Sequence, residues 1–194
     1  MQLEHDFEVP ASPERTHELL LDAERVVPCM PGAKLLEVVD EHTWKSELAI
    51  KLGPVGMQFR ADVKLLDRDD ETKTVRLGVS ARETRGKGGA EATVDSALSP
   101  AGEGGTKVAM TTDLRFSGQA AQLGRPGVVK DVSNKLVDQF AECIKGQLSA
   151  APEERAGAVE EAQKPISGLS LAVSALVGAV KRLLGFGRER GETT

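Results

Sequence analysis

Apolar and polar side chains alternate along much of the first 116 residues, and strand-like runs fall at 34–39, 43–51, 56–67, 73–82, 88–98 and 106–116. Met57, Phe59, Ala61, Val63 and Leu65 share one parity, against Gln58, Arg60, Asp62 and Lys64 on the other. Val75 to Ala81, Ala90 to Leu98 and Val108 to Phe116 repeat the pattern. A period of two is that of a strand with one buried face, and short joins between such runs predict an antiparallel meander. SPAGEGG at 99–105 is the clearest hairpin loop, because glycine takes the positive φ that a Cβ resists. A first strand is predicted at 2–9, where Leu3, His5, Phe7 and Val9 alternate with Gln2, Glu4, Asp6 and Glu8. Pro10 ends it. Ser12 then caps a helix that opens on Pro13 and runs to about Leu21, and a second short helix near 24–27 stops at Pro28.

From Gly127 to Leu148 the period changes to that of a helix, with Val129, Val132, Leu136, Phe140, Cys143 or Ile144, and Leu148 on one stripe. The order of elements predicts an α+β fold. A seven-stranded curved antiparallel sheet wraps around a long C-terminal helix, with two short helices after the first strand. Ala61, Ala81, Ala90 and Ala92 fall on inward positions, and the chain has five Phe, one Trp and no Tyr. Little bulk is then available between sheet and helix, which leaves two readings open: a cavity, or close packing of small residues.

Beyond the domain at 1–148, residues 149–164 form a Pro/Glu/Ala linker with too little apolar area to fold alone. Residues 165–185 read as an amphipathic helix. Ile166, Leu169, Val173, Leu176, Val180 and Leu183 recur at steps of three and four, and Lys181, Arg182, Arg188 and Arg190 make the end of the tail basic. The uncharged run at 165–180 is shorter than the roughly 20 residues that span a bilayer. The segment is therefore expected to lie on a membrane surface or to dock on a partner, with 186–194 disordered.

The net charge of −5 lies entirely on residues 1–150, since the tail balances its charges, and this argues against a nucleic-acid partner. His5, His17 and His42 form no metal-binding spacing, so no metal site is expected. Cys29 and Cys143 read as separate buried thiols; with no secretory signal at the N-terminus, they point to a reducing cytoplasm. GRPG at 124–127 and TRGKGG at 84–89 match no phosphate-binding motif. Arg82, Glu83 and Arg85 read as exposed charges at a strand end, with a polar patch at a cavity mouth as the alternative. No catalytic constellation is visible, and the expectation is a protein that is not an enzyme.

Three segments carry a family resemblance: FEVPASPERTHELLLDAERVVPCMPG at 7–32, LGPVGMQF at 52–59 and FSGQAAQLGRPGVVKDVSNKLVDQFAECI at 116–144. Together they resemble the G-subunit family of carbon monoxide dehydrogenase, within the START-like helix-grip superfamily. The resemblance implies an accessory protein of a molybdenum-containing dehydrogenase. It further implies an apolar, lipid-like ligand between sheet and helix, carried onto Trp44, Met57, Phe59, Val79, Met110, Phe116, Val132, Leu136 and Phe140. Combined with the tail, it leads to the expectation that the protein binds an isoprenoid quinone, menaquinone, and links the enzyme to the membrane quinone pool from the cytoplasmic side. The alternative is an assembly or recruitment factor without lipid cargo.

Overall fold

The computed structural model describes residues 1–52, 55–86, 88–119, 121 and 126–149; the linker and the amphipathic segment expected at 150–194 lie outside them. Seven strands follow the alternating runs: β1 (Gln2–Val9), β2 (Ala33–Asp40), β3 (Thr43–Leu52), β4 (Val55–Asp69), β5 (Thr74–Glu83), β6 (Gly88–Ala101) and β7 (Gly105–Gly118). All neighbours are antiparallel, in the order β1-β7-β6-β5-β4-β3-β2. The β6–β7 hairpin is tighter than its sequence suggests. Ser99, Pro100 and Ala101 pair with Lys107, Thr106 and Gly105, and Gly102 and Gly104 turn the chain at φ of 50° and 79°.

Helices α1 (Pro13–Leu21) and α2 (Ala23–Val26) follow β1, then a 3-10 turn at Val27–Cys29. Ser12 Oγ accepts the amide of Arg15, and Asp22 does the same for Arg25 at the start of α2. The α-helix ends at Val26, ahead of Pro28, and Pro28 itself sits inside the 3-10 turn, where its fixed φ is compatible and no amide is needed. Gly32 then swings the chain into β2. Its φ is +79°, and a Cβ there would lie 2.3 Å from the carbonyl oxygen of Ala49, so the close approach to β3 requires glycine.

The long helix α3 (Pro126–Ser149) lies on the concave face of the sheet. Its C-terminal half builds the main core: Phe140, Ala141, Cys143, Ile144 and Leu148 pack with Phe7, Val9, Leu19, Leu98 and Val108. Phe7 meets Phe140 edge to face at 6.0 Å between centroids. Gln147, also buried, donates to the Arg25 carbonyl at 2.9 Å and accepts from Arg25 Nε at 3.2 Å, tying α2 to α3.

The cysteines require a correction. Cys29 and Cys143 are not separate thiols but a disulfide, with their Cα atoms 5.4 Å apart across 114 residues of sequence. Folding brings the 3-10 turn onto α3, which no sequence spacing reveals. With both sulfurs joined, these cysteines supply no free thiols and do not point to a reducing compartment.

A second tie joins α1 to the β4–β5 hairpin, where the buried His17 places Nε2 2.8 Å from Asp70 Oδ1. Arg68 Nε reaches the same oxygen at 2.7 Å. The Arg68 bond, then the His17 bond, hold the Asp70 carboxyl below its ordinary range. A depressed carboxyl contributes stability above its unfolded pKa, about 3.9, and loses it as the pH falls through the lower folded value. Asp69, Asp40 and Glu14 are depressed as well. The urea midpoint is therefore expected to fall on acidification below about pH 4, and to fall less steeply in Asp70→Asn. An unchanged slope in that variant would show that the hairpin tie adds nothing to acid stability.

Candidate ligand cavity

The two halves of α3 have different surroundings. Where the C-terminal half meets Phe7 and its neighbours, the space is filled. Over β3 to β7 the N-terminal half faces Ala81, Ala90 and Ala92, whose methyl groups do not reach the helix, and a cavity of about 240 Å³ remains. Its walls are Leu48 and Ile50 of β3, Met57 and Phe59 of β4, Val79 of β5, Leu114 and Phe116 of β7, and Val128, Val129, Val132, Ser133 and Leu136 of α3. Among the described residues Ser133 is the one polar side chain in the lining, and its hydroxyl donates to the Lys130 carbonyl at 2.9 Å. The lining therefore takes up hydrocarbon. A carbonyl or hydroxyl placed deep inside would go without a partner, at a cost of about 1–3 kcal/mol each.

Of the nine residues assigned to a ligand site from sequence, Met57, Phe59, Val79, Phe116, Val132 and Leu136 are brought together here. The other three are not. Phe140 is spent on Phe7 in the main core. Met110, opposite His5 of β1, packs against that same core. Trp44 pairs with Val38 and Val63, four residues along β3 from the lining residue Leu48. Ala61 is inward and buried but is not part of the lining. Leu48, Ile50, Leu114, Val128 and Val129 were not assigned. The parity of β3 and β7 points to the first three, and the missing information was which end of the sheet α3 leaves unfilled.

Glu83 also departs from its sequence reading. Arg82 and Arg85 are exposed, but Glu83 is only 5% exposed and faces inward, opposite Phe59. Its Oε2 accepts the amide of Arg85 at 2.8 Å. No cluster of three or more His, Cys, Asp or Glu able to hold a metal exists among the described residues. No helix among them is long and apolar enough to cross a membrane.

The family model for the carbon monoxide dehydrogenase G subunit (CoxG) matches residues 6–149, from the middle of β1 to the end of α3. The chain belongs to the CoxG family. Membership makes it an accessory protein associated with carbon monoxide dehydrogenase. No curated protein matches the sequence significantly. Among solved structures, a conserved protein from Geobacillus kaustophilus is 21% identical, with 77% of this chain and 95% of that one covered, at a TM-score of 0.69. A Thermus thermophilus protein is 20% identical over 74% of this chain and 97% of that one, at 0.52. Norcoclaurine synthase from Thalictrum flavum is 14% identical over 78% and 95%, at 0.52. Such likenesses establish the helix-grip fold and no more, and enzymes are among the proteins that share it.

Proposed function

We propose that this CoxG-family protein is a non-catalytic carrier that binds an isoprenoid quinone, menaquinone, and links the dehydrogenase to the quinone pool of the membrane. The observation that supports it is the apolar cavity under the N-terminal half of α3, in a domain whose other half is filled. Each Å² of prenyl chain enclosed there contributes roughly 25 cal/mol. At about 240 Å³ the cavity lies below the roughly 300–1,000 Å³ of ordinary small-molecule pockets, so part of a long chain is enclosed and the ring stays at the mouth. The lining agrees with that orientation, since it offers prenyl carbons contacts and ring oxygens no donor. Residues 165–190, with their apolar stripe and basic end, supply the membrane contact in this reading.

The small volume also favours a second reading, in which the domain grips the dehydrogenase and the tail recruits it to the membrane without cargo. Organic extracts of natively purified full-length protein, analysed by mass spectrometry, separate the two. A stoichiometric quinone is expected, and much less of it in a protein lacking residues 165–194. Extracts empty of any isoprenoid, even after incubation with quinone-loaded vesicles, would leave the recruitment factor.

A further inference from the structure

The cavity is open to water along one side, and that side is apolar. In the main core Phe140, Ile144 and Leu148 are buried, as are Phe7 and Val108 against them. Along the N-terminal half of α3 the lining residues Val129, Val132 and Leu136 are only half-buried, Val128 is 42% exposed, and Ile50 and Met57 of the facing strands are half-buried too. Each of these side chains forgoes part of the roughly 1.5–3 kcal/mol that full burial contributes.

The same chain carries a matching surface in its sequence. Ile166, Leu169, Val173, Leu176, Val180 and Leu183 recur at steps of three and four, which on a helix makes one apolar stripe. Its tether reaches the cavity. The helix α3 ends at Ser149, and Val128 lies about 30 Å back along it at a rise of about 1.5 Å per residue. Residues 150–165 come between Ser149 and Ile166, and a chain of that length spans about 20–25 Å as a coil and up to about 55 Å when extended. Such a tether holds the stripe at roughly millimolar concentration around the domain. The contact is then half formed at a Kd of about 1 mM, or about 4 kcal/mol, which two or three buried leucine or valine side chains supply. The charges agree in sign: the net −5 lies on residues 1–150, whereas 165–190 hold Lys181, Arg182, Arg188 and Arg190 against the single acid Glu189.

We propose that in water the apolar stripe of residues 166–183 covers the open side of the cavity, between Val128, Val132 and Leu136 of α3 and Ile50 and Met57 of the sheet, and that it leaves for an anionic membrane surface. A cavity of about 240 Å³ buries only part of the stripe, whereas a bilayer takes all of it. Each of the four bases adds about 1 kcal/mol near anionic headgroups, so the membrane wins the competition. The stripe and the cargo then take turns at the cavity mouth, and the mouth opens where lipid is present. This goes beyond the carrier reading and holds whatever the cargo is.

The test replaces Val173 with the photoreactive p-benzoylphenylalanine in the full-length protein, stripped of cargo on a hydrophobic resin and checked by mass spectrometry of its extract. Mixing isotope-labelled with unlabelled protein separates crosslinks within one molecule from those between two. Irradiation without lipid is expected to join position 173 to Ile50, Met57 or residues 128–136 of the same molecule. Val128→Asp is expected to cut that crosslink by about fivefold. Val39→Asp, at an exposed position of β2, should leave it unchanged, and melting curves verify that both variants are folded. Vesicles containing phosphatidylglycerol are expected to cut it by at least about fivefold, and vesicles of phosphatidylcholine alone much less. Crosslinks to β2, to the outer face of the sheet or to a second copy overturn the proposal, as does a crosslink to the lining that anionic vesicles leave unchanged. The carrier reading is untouched by these outcomes, since it stands or falls on the quinone content of native extracts.

Discussion

Changing Cys29 and Cys143 together to alanine is expected to lower the unfolding free energy by about 3–5 kcal/mol and the melting temperature by roughly 10–15 °C. The bond closes a loop between residues 114 apart in sequence, long enough for the constraint it places on the unfolded chain to be large. It also sits where its loss is felt. Cys29 is fully buried, Cys143 nearly so, and Gln147 Nε2 lies 3.1 Å from the Cys29 sulfur. The 3-10 turn would then depend on the Gln147 bonds and on van der Waals contact to stay against α3. Urea and thermal unfolding of the double variant measure the effect, and alkylation of the denatured, unreduced protein reports the bond directly. A loss under 1 kcal/mol, or two thiols labelled without reductant, would show that the sulfurs are not joined in the native protein.

The second large effect is at the cavity. Ala92 lies on its floor, between Val79 of β5 and Leu114 of β7, so Ala92→Trp places an indole where the cargo would lie. Occupancy by quinone in native extracts is expected to fall at least tenfold. Folding should tolerate the change at a cost of about 1–3 kcal/mol, because the new ring enters existing space rather than a filled core. Circular dichroism and a melting curve verify that the variant is folded. Full occupancy in a folded Ala92→Trp protein would place the ligand elsewhere, and a folded variant that still recruits the dehydrogenase while carrying nothing would separate cargo from attachment.

The runs from β3 to β7 and the β1 pattern were legible because those strands turn one face inward and leave the other more exposed, a difference written in every second residue; β2 is the exception, exposed from Leu36 to Asp40. The start of α1 was legible for a local reason too, with Ser12 as its cap and Pro13 at its first position. The site was legible only in part. Parity places Met57, Phe59, Val79 and Phe116 on the inward face, and parity says the same of Met110 and Trp44, which do not line the cavity. On α3 a single stripe runs from Val129 through Val132 and Leu136 to Phe140, although the first three border the cavity and Phe140 fills the core.

What the amino-acid order determined by itself is therefore which residues turn inward, since alternation and helical period are properties of a few neighbouring residues. Where the inside is full and where it is hollow was decided by tertiary structure, through the seating of α3 against Phe7 at one end and over three alanines at the other. The same holds for the disulfide and for the burial of Glu83. Each depends on segments meeting across the fold: Cys29 on α3, Glu83 opposite Phe59. Such meetings are set by the curvature and register of the whole sheet, which no local pattern encodes.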